Sequence, residues 1–234
     1  MSRLSRVADS LGIGAEGMEI KAFIFDIDGT LVDTRQLHID AWQRAFSEFG
    51  IEVPADQIQS QLGRRAIDIA KALLPESKQG ETMRVVEAKW RIFRELHPAV
   101  KPLPKVKELF DLLHRRGIVL ALATSTIRQD AEFYIDILSL RGLIGTLVAA
   151  EDIQHSKPHP EIFLKAAARL SVSPEEAVMV GDSPHDMRAA KDAGMIAIGV
   201  LSGGFPKEDL HNAGADHIYR DIEDLYEHVE DIFE

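Results

Sequence analysis

The sequence predicts an α/β protein with a mostly parallel sheet covered by helices on both faces, and three observations predict it. From Pro104 to the C-terminus short apolar runs alternate with segments of helical periodicity, as repeated strand–helix units require. The first apolar run, Ala22 to Phe25, is separated from the next by a long stretch with helical spacing alone, which reads as an inserted helical bundle. Several runs end in carboxylate or hydroxyl side chains, and beyond the carboxyl ends of the strands lies the usual ligand crevice of an open parallel sheet.

The elements follow in order. Ala22 to Phe25 is a continuous run rich in aromatic and branched residues, as expected of a strand covered on both faces, and Gly29 supplies the turn that ends it. Thr34 is placed to cap a helix whose stripe is His38, Trp42, Ala45 and Phe49 and whose stop is Gly50. Leu62, Ala66, Ile69, Ala70 and Leu73 form a second stripe, and a third helix is expected from about Glu81 to Leu96. The segment from Pro98 to Pro104 holds three prolines, which deny it a continuous helix, and it reads as the return linker.

Beyond it, Val106 to Leu113 stripe a helix that Gly117 ends, and Ile118 to Ala123 is a buried strand ending at Thr124-Ser125-Thr126. A helix from Arg128 to Leu140 leads to the run Thr146 to Ala150 and then to Ser156-Lys157-Pro158-His159-Pro160, ahead of a helix facing Ile162, Phe163, Ala166, Ala167 and Leu170 inward. Ala177 to Val180 ends in Gly181-Asp182-Ser183-Pro184-His185-Asp186, and the helix after it stops near Gly194. Ile196 to Val200 and His217 to Tyr219 are the last strands, with a final helix striped by Ile222, Leu225, Tyr226, Val229 and Phe233. Neither an internal repeat nor a low-complexity segment interrupts the pattern. Three regions are expected: an N-terminal extension at 1–18, a core from 19–33 and 98–234, and a helical insert at 34–97.

Composition narrows the function. With 38 acidic against 27 basic residues the net charge is −11, which disfavours nucleic acid or an anionic membrane as the main partner. There is no cysteine, hence no disulfide framework and no thiolate metal site, so any metal must take oxygen or histidine ligands. The first 18 residues carry Arg3 and Arg6 without a sustained apolar run, the pattern of a short amphipathic helix or a loose tail and not of a secretory signal. A cytoplasmic protein is expected.

Asp26 and Asp28 emerge together where the first strand ends, and two such carboxylates repel unless a cation intervenes. A hard divalent ion such as Mg²⁺, which commonly takes one or two carboxylates together with substrate phosphate, is the simplest remedy. The other strand ends add Thr124 with Ser125, Lys157, and Asp182 with Asp186, the last two four residues apart on a helix start. These are the requirements of phosphoryl transfer, in which charge on three equatorial oxygens must be positioned and neutralised. Lys157 and Mg²⁺ neutralise; the Thr124 hydroxyl and helix-start N–H groups hold the remaining oxygens. A carboxylate nucleophile splits one displacement into two through an aspartyl phosphate, and a second acid can protonate the leaving oxygen and later activate water.

The segments Phe25 to Thr34, the Thr124 strand end, Lys157-Pro158 and Gly181 to Asp186 together resemble the four motifs of the haloacid dehalogenase superfamily, over roughly Ile20 to the C-terminus. The resemblance implies a Rossmann-like core, with the insert as a helical cap closing over the substrate. It implies Asp26 as nucleophile, Asp28 as general acid/base and carbonyl ligand, and Thr124 and Lys157 as phosphoryl-binding groups. It also implies Asp182 as a direct Mg²⁺ ligand and Asp186 as a further metal-holding residue. An acid at position 28 suits an alkoxide leaving group and so favours phosphate esters over organic halides. Gly199 to Phe205 and Ala213-Gly214-Ala215-Asp216 resemble the phosphoglycolate phosphatases; His38, Ala41-Trp42 and Gly63-Arg64-Arg65 resemble β-phosphoglucomutase and sugar-phosphate phosphatases. Ser125, Arg64 and His38 are the further substrate-binding candidates, His38 also suiting a packing role on its helical stripe. The expected activity is a Mg²⁺-dependent phosphatase acting on a small phosphorylated metabolite, as a monomer or homodimer. A phosphotransferase or mutase is the alternative enzyme, and a non-enzymatic phospho-acceptor module, a class about half this length, the alternative of another kind.

Overall fold

The computed structural model describes residues 19–233, so the N-terminal extension expected at 1–18 lies outside the described residues. Six parallel strands form the main sheet: β1 (Ala22–Phe25), β4 (Val119–Ala123), β5 (Thr146–Val148), β6 (Ala177–Gly181), β7 (Ile196–Val200) and β8 (His217–Tyr219), in the order β5-β4-β1-β6-β7-β8. β1 is therefore central, with Phe25 level with Leu122 on one side and Val180 on the other. The chain order reverses on either side of β1, which opens the crevice beyond its carboxyl end where ligands bind in such sheets.

The apolar run of β1 is sorted by its pleat, because successive side chains of a strand point to opposite faces. Phe23 and Phe25 enter one core, where the Phe25 ring lies 4.6 Å from that of Phe110, while Ala22 and Ile24 enter the other with Phe163 and Ala166. Helices α5 (Val106–Arg115) and α10 (Ile222–His228) cover the first face; α7 (Glu161–Leu170) and α8 (Pro184–Asp192) cover the second. Each buried aromatic here contributes about 1.5–3 kcal/mol relative to its exposed state. The two cores together lock the central strand and hence the position of Asp26.

Between β1 and β4 the chain forms α1 (Arg35–Glu48), α2 (Ala55–Gln59), α3 (Ala66–Leu73) and α4 (Thr82–Leu96). The long pair α1 and α4 packs through Trp42, Phe46, Val85, Val86 and Phe93, all buried. Gly50 ends the first of these at φ +66°, as its position after the stripe predicts.

Several features depart from the sequence reading: α2 has no counterpart in it, and Leu62, expected on the second helical stripe, lies in the turn before α3. Val32–Asp33 (β2) and Lys101–Pro102 (β3) pair antiparallel, tying together the chain entering and leaving the helical insert where a linker alone was expected. Two-residue strands are too short to show a period. A helix at Lys207–Asn212 (α9) was also unanticipated, six residues being under two turns; the remaining core helix, Arg128–Ile137 (α6), stops three residues before the expected Leu140.

Candidate active site

The strand ends bring the acidic side chains together. Asp26 follows β1 and its N–H extends the ladder to Val180 O at 2.9 Å, while Thr124 follows β4 with its N–H on Val148 O at 3.0 Å. Asp182 follows β6, and Asp186 lies on the first turn of α8. Carboxylate oxygens of Asp26, Asp182 and Asp186 all fall within 4.8 Å of one another, and all three residues are buried.

One cation answers them. The fully buried Lys157 donates to Asp26 Oδ1 at 2.6 Å and to the Ala123 carbonyl at 3.2 Å, and its Nζ stands 2.7 Å from Asp186 Oδ1. Burial opposes its charge, but Asp186 and Asp26 outweigh burial and hold Lys157 above the usual lysine range. Burial drives Asp26 the other way, up to about 7 despite Lys157, with Asp186 adding to the rise. Asp182 is likewise raised by burial, then by Asp186 and Asp26. Three carboxylates against one lysine leave the cluster short of positive charge.

The surrounding backbone is shaped to these acids. Ser183 caps α8 and its N–H and hydroxyl both donate to Asp186 Oδ2, at 3.1 and 2.6 Å, fixing that side chain. Thr30 donates to Asp182 Oδ1 at 3.2 Å. The loop after β7 passes so near Asp182 that a Cβ on Gly203 would overlap its Oδ2. Glycine is thus required at position 203 by close approach. Gly203→Ala is expected to displace Asp182 and to destabilise the fold by about 1–3 kcal/mol, the scale of an overpacking cost. Denaturant melts would check this, and unchanged stability would contradict it.

Asp28 does not join the carboxylate cluster. Its Oδ1 accepts from Thr34 Oγ1 at 2.9 Å and meets His38 Nε2 at 2.9 Å, while its Oδ2 accepts from Thr126 Oγ1 at 2.6 Å. Burial alone would raise Asp28; His38 and these hydrogen bonds outweigh it and hold the carboxyl well below its usual range. His38, which burial pushes below the ordinary histidine value, also stacks on Phe93 with ring centroids 4.1 Å apart, so it serves packing and the acid at once. Thr34, expected as a helix cap, makes no capping side-chain hydrogen bond. Its hydroxyl is spent on Asp28. Thr34 and Thr126 are the site residues that sequence reasoning missed as such; the only signal was that both flank residues already singled out.

Asp26, Asp28, His38, Arg64, Thr124 and Ser125 all border one cavity between the strand ends and the helical insert. Thr124 Oγ1 accepts from the Thr126 N–H at 3.1 Å. The Ser125 hydroxyl donates to the Gly63 carbonyl at 2.7 Å, joining the core loop to the insert. Arg64 donates to Gln61 and leaves its Nε without a hydrogen bond. Lys157, Asp182 and Asp186 are not among the residues bordering it; Lys157 is bonded to Asp26, and carboxylate oxygens of the two acids stand within 4.8 Å of Asp26's.

A buried carboxylate nucleophile candidate paired with lysine, beside two further acids at strand ends, on this sheet, defines a class of hydrolase. Residues 23–200 match the family model described as haloacid dehalogenase-like hydrolase, and the chain belongs to that family. Among curated proteins it is 34% identical over 202 residues to the phosphorylated carbohydrates phosphatase of Thermotoga maritima, covering 84% of this chain and 92% of that one. It is 29% identical over 211 residues to the pyrophosphatase PpaX of Anoxybacillus flavithermus, covering 89% and 96%. Among solved structures, a hydrolase from Pseudomonas syringae superposes with a TM-score of 0.85 at 29% identity, covering 92% of this chain and all of that one.

Proposed function

We propose that the protein is a Mg²⁺-dependent phosphatase that hydrolyses a small phosphorylated metabolite through an aspartyl phosphate on Asp26. The observation that carries this reading is the Lys157–Asp26 pair at 2.6 Å within the cluster of three buried carboxylates. The donors suit the metal: all are oxygen atoms, as a hard cation prefers, and the excess negative charge of the three carboxylates needs one. Asp26, Asp182 and Asp186, with the Asp28 carbonyl, would hold it. Mg²⁺ bound there supplies positive charge against the transferring phosphoryl group.

The chain's own groups do the rest. An Asp26 carboxylate oxygen attacks phosphorus while the bond to the ester oxygen breaks; Lys157 and the Thr124 hydroxyl hold phosphoryl oxygens, with Ser125, Arg64 and His38 toward the leaving group. Asp28 gives its proton to the departing alkoxide. Water then attacks phosphorus, Asp28 takes that water's proton, and the Asp26–phosphorus bond breaks to free phosphate. In the arrangement described, Asp28 is ionised and held by three donors, the form suited to the second step. The acid form requires those donors to release it. Thr34 and His38 stand at the entrance to the helical insert, so motion of residues 34–97 as a cap would couple substrate entry to that release.

The test is phosphate release from a panel including 2-phosphoglycolate, sugar phosphates and pyrophosphate, with and without Mg²⁺. Metal-dependent release supports the reading. Conversion of a sugar 1-phosphate to its 6-phosphate without free phosphate would establish the mutase alternative instead.

The raised acids carry a pH signature. A folded-state pKa near 7 for Asp26, against about 4 in the unfolded chain, means that its contribution to stability is complete below about pH 4 and is lost as pH rises through 7. A divalent cation favours the ionised forms and opposes that loss. Mg²⁺ is therefore expected to raise the melting temperature more at pH 8 than at pH 5.5 in thermal scans; a shift larger at the lower pH would contradict the assignment of these acids as ligands.

A further inference from the structure

Two charged side chains in the same cavity take no part in the chemistry above. Lys89, on α4, is only 6% exposed and has no hydrogen bond or ion pair among the described residues. Its ammonium lies over the rings of Phe93 at 4.5 Å and Trp42 at 5.8 Å, and burial pushes it down to about 8. Asp130, on the first turn of α6, is 3% exposed and its Oδ1 makes no hydrogen bond. His97 Nε2 stands 3.5 Å from Asp130 Oδ1, beyond good hydrogen-bond length, and that nitrogen too has no hydrogen-bond partner. Buried polar groups are ordinarily satisfied, and one left open destabilises the structure that buries it. A donor from the insert and an acceptor from the core, both bordering one cavity, call for a ligand that is both donor and acceptor.

We infer that Lys89 and Asp130 bind neutral hydroxyl groups of the leaving group, which makes the substrate class a phosphorylated polyol or sugar and not a pyrophosphate or other ester with a second anionic end. The inference rests on the phosphatase reading above. A hydroxyl can donate to the Asp130 carboxylate and can accept from the Lys89 ammonium, so neutral hydroxyls satisfy both side chains. A second phosphate would meet Lys89 favourably, but Asp28 and Asp130 both act on that lysine already and would repel the newcomer. An apolar leaving group would leave both side chains unpaired. Trp42, Trp90, Ile69 and Ile127 also border the cavity and offer apolar surface to the carbon chain between hydroxyls. Asp130 and His97 could instead serve as a latch between the insert and the core; that role would affect every ester alike.

The experiment uses the Asp26→Asn protein with Mg²⁺, so that binding is read without turnover. Dissociation constants are measured by calorimetry for glucitol 6-phosphate, n-hexyl phosphate and pyrophosphate, alone and with Lys89→Met or Asp130→Ala added. The glucitol ester is expected to bind at least about tenfold more tightly than the hexyl ester, as a site built for hydroxyls rejects the analogue lacking them. Each added substitution should reduce that preference about fivefold or more, the scale of one hydrogen bond, while hexyl phosphate changes less than about twofold. Equal loss for both esters in both variants would assign a structural latch and overturn the inference, as would tighter binding of pyrophosphate than of the glucitol ester. Hexyl phosphate also reports folding, so if Asp130→Ala fails to fold, Lys89→Met decides. Phosphate release by the protein with Asp26 intact judges the hydrolytic reading separately: an intact hydroxyl preference without release would retain the subsite and remove the phosphatase.

Discussion

Asp26→Asn is expected to lower phosphate release by at least about 10⁴-fold, because the substitution removes the attacking oxygen's charge and the covalent route with it. The fold should survive. Asp26 is one of three carboxylates facing a single lysine, so making it neutral relieves repulsion with Asp186 and ends the cost of a buried anion. Stability at pH 8 without metal should therefore be retained or increased, and Mg²⁺ should stabilise the variant less than the parent. Activity assays paired with thermal scans check both halves. A variant that retained normal turnover would remove Asp26 from the chemistry, and one that was inactive because unfolded would show no melting transition.

Lys157→Met has the opposite thermodynamic sign and the second large effect. Lys157 is fully buried against Asp26 and Asp186, and its removal leaves acids uncompensated in the interior. Breaking a buried pair from one side costs roughly 3–5 kcal/mol. Metal-free Lys157→Met should melt far below the parent at pH 8 and recover part of the difference at pH 5, where the raised carboxyls of Asp26 and Asp182 bind protons. It should also lose most activity, since a positive group at the transferring phosphoryl oxygens goes with it. Denaturant melts at the two pH values check this, and a loss independent of pH would mean that packing, not charge, was Lys157's contribution.

The convergence of Asp26, Thr124, Lys157, Asp182 and Asp186 was legible in the sequence for one reason. Their apolar runs are strong and short; Asp26, Thr124 and Asp182 directly follow theirs, Asp186 is one helical turn further and Lys157 lies along the loop after β5, so a parallel arrangement sends them to one edge. What escaped depends on side-chain direction. Nothing in the spacing of Asp28 says that its carboxylate turns to Thr34, His38 and Thr126 instead of to Asp26's neighbours. Thr34 precedes a helix and so looked like a cap, yet its side chain is turned to donate to the Asp28 carboxylate and its oxygen accepts from no helix-end N–H. Lys89 lies on a stripe of α4 that periodicity assigns to solvent or to packing, and only the fold puts its ammonium beside the cavity. Gly203 illustrates the same limit: a glycine in a loop is a turn signal in the sequence, whereas here it makes room for Asp182.

Trapping a covalent phosphoryl intermediate on Asp26 tests the proposed mechanism most directly. The protein is mixed with Mg²⁺ and a hydrolysed ester, quenched in acid during turnover, and treated with borohydride, which reduces an acyl phosphate but not a free carboxylate. Peptide mass spectrometry then locates the reduced residue. Reduction is expected at Asp26, dependent on both ester and metal, and the intermediate should live longer in Asp28→Asn, which slows attack by water. Reduction at a different carboxylate, or steady phosphate release from the Asp28→Asn protein with Asp26 unmodified, would contradict it.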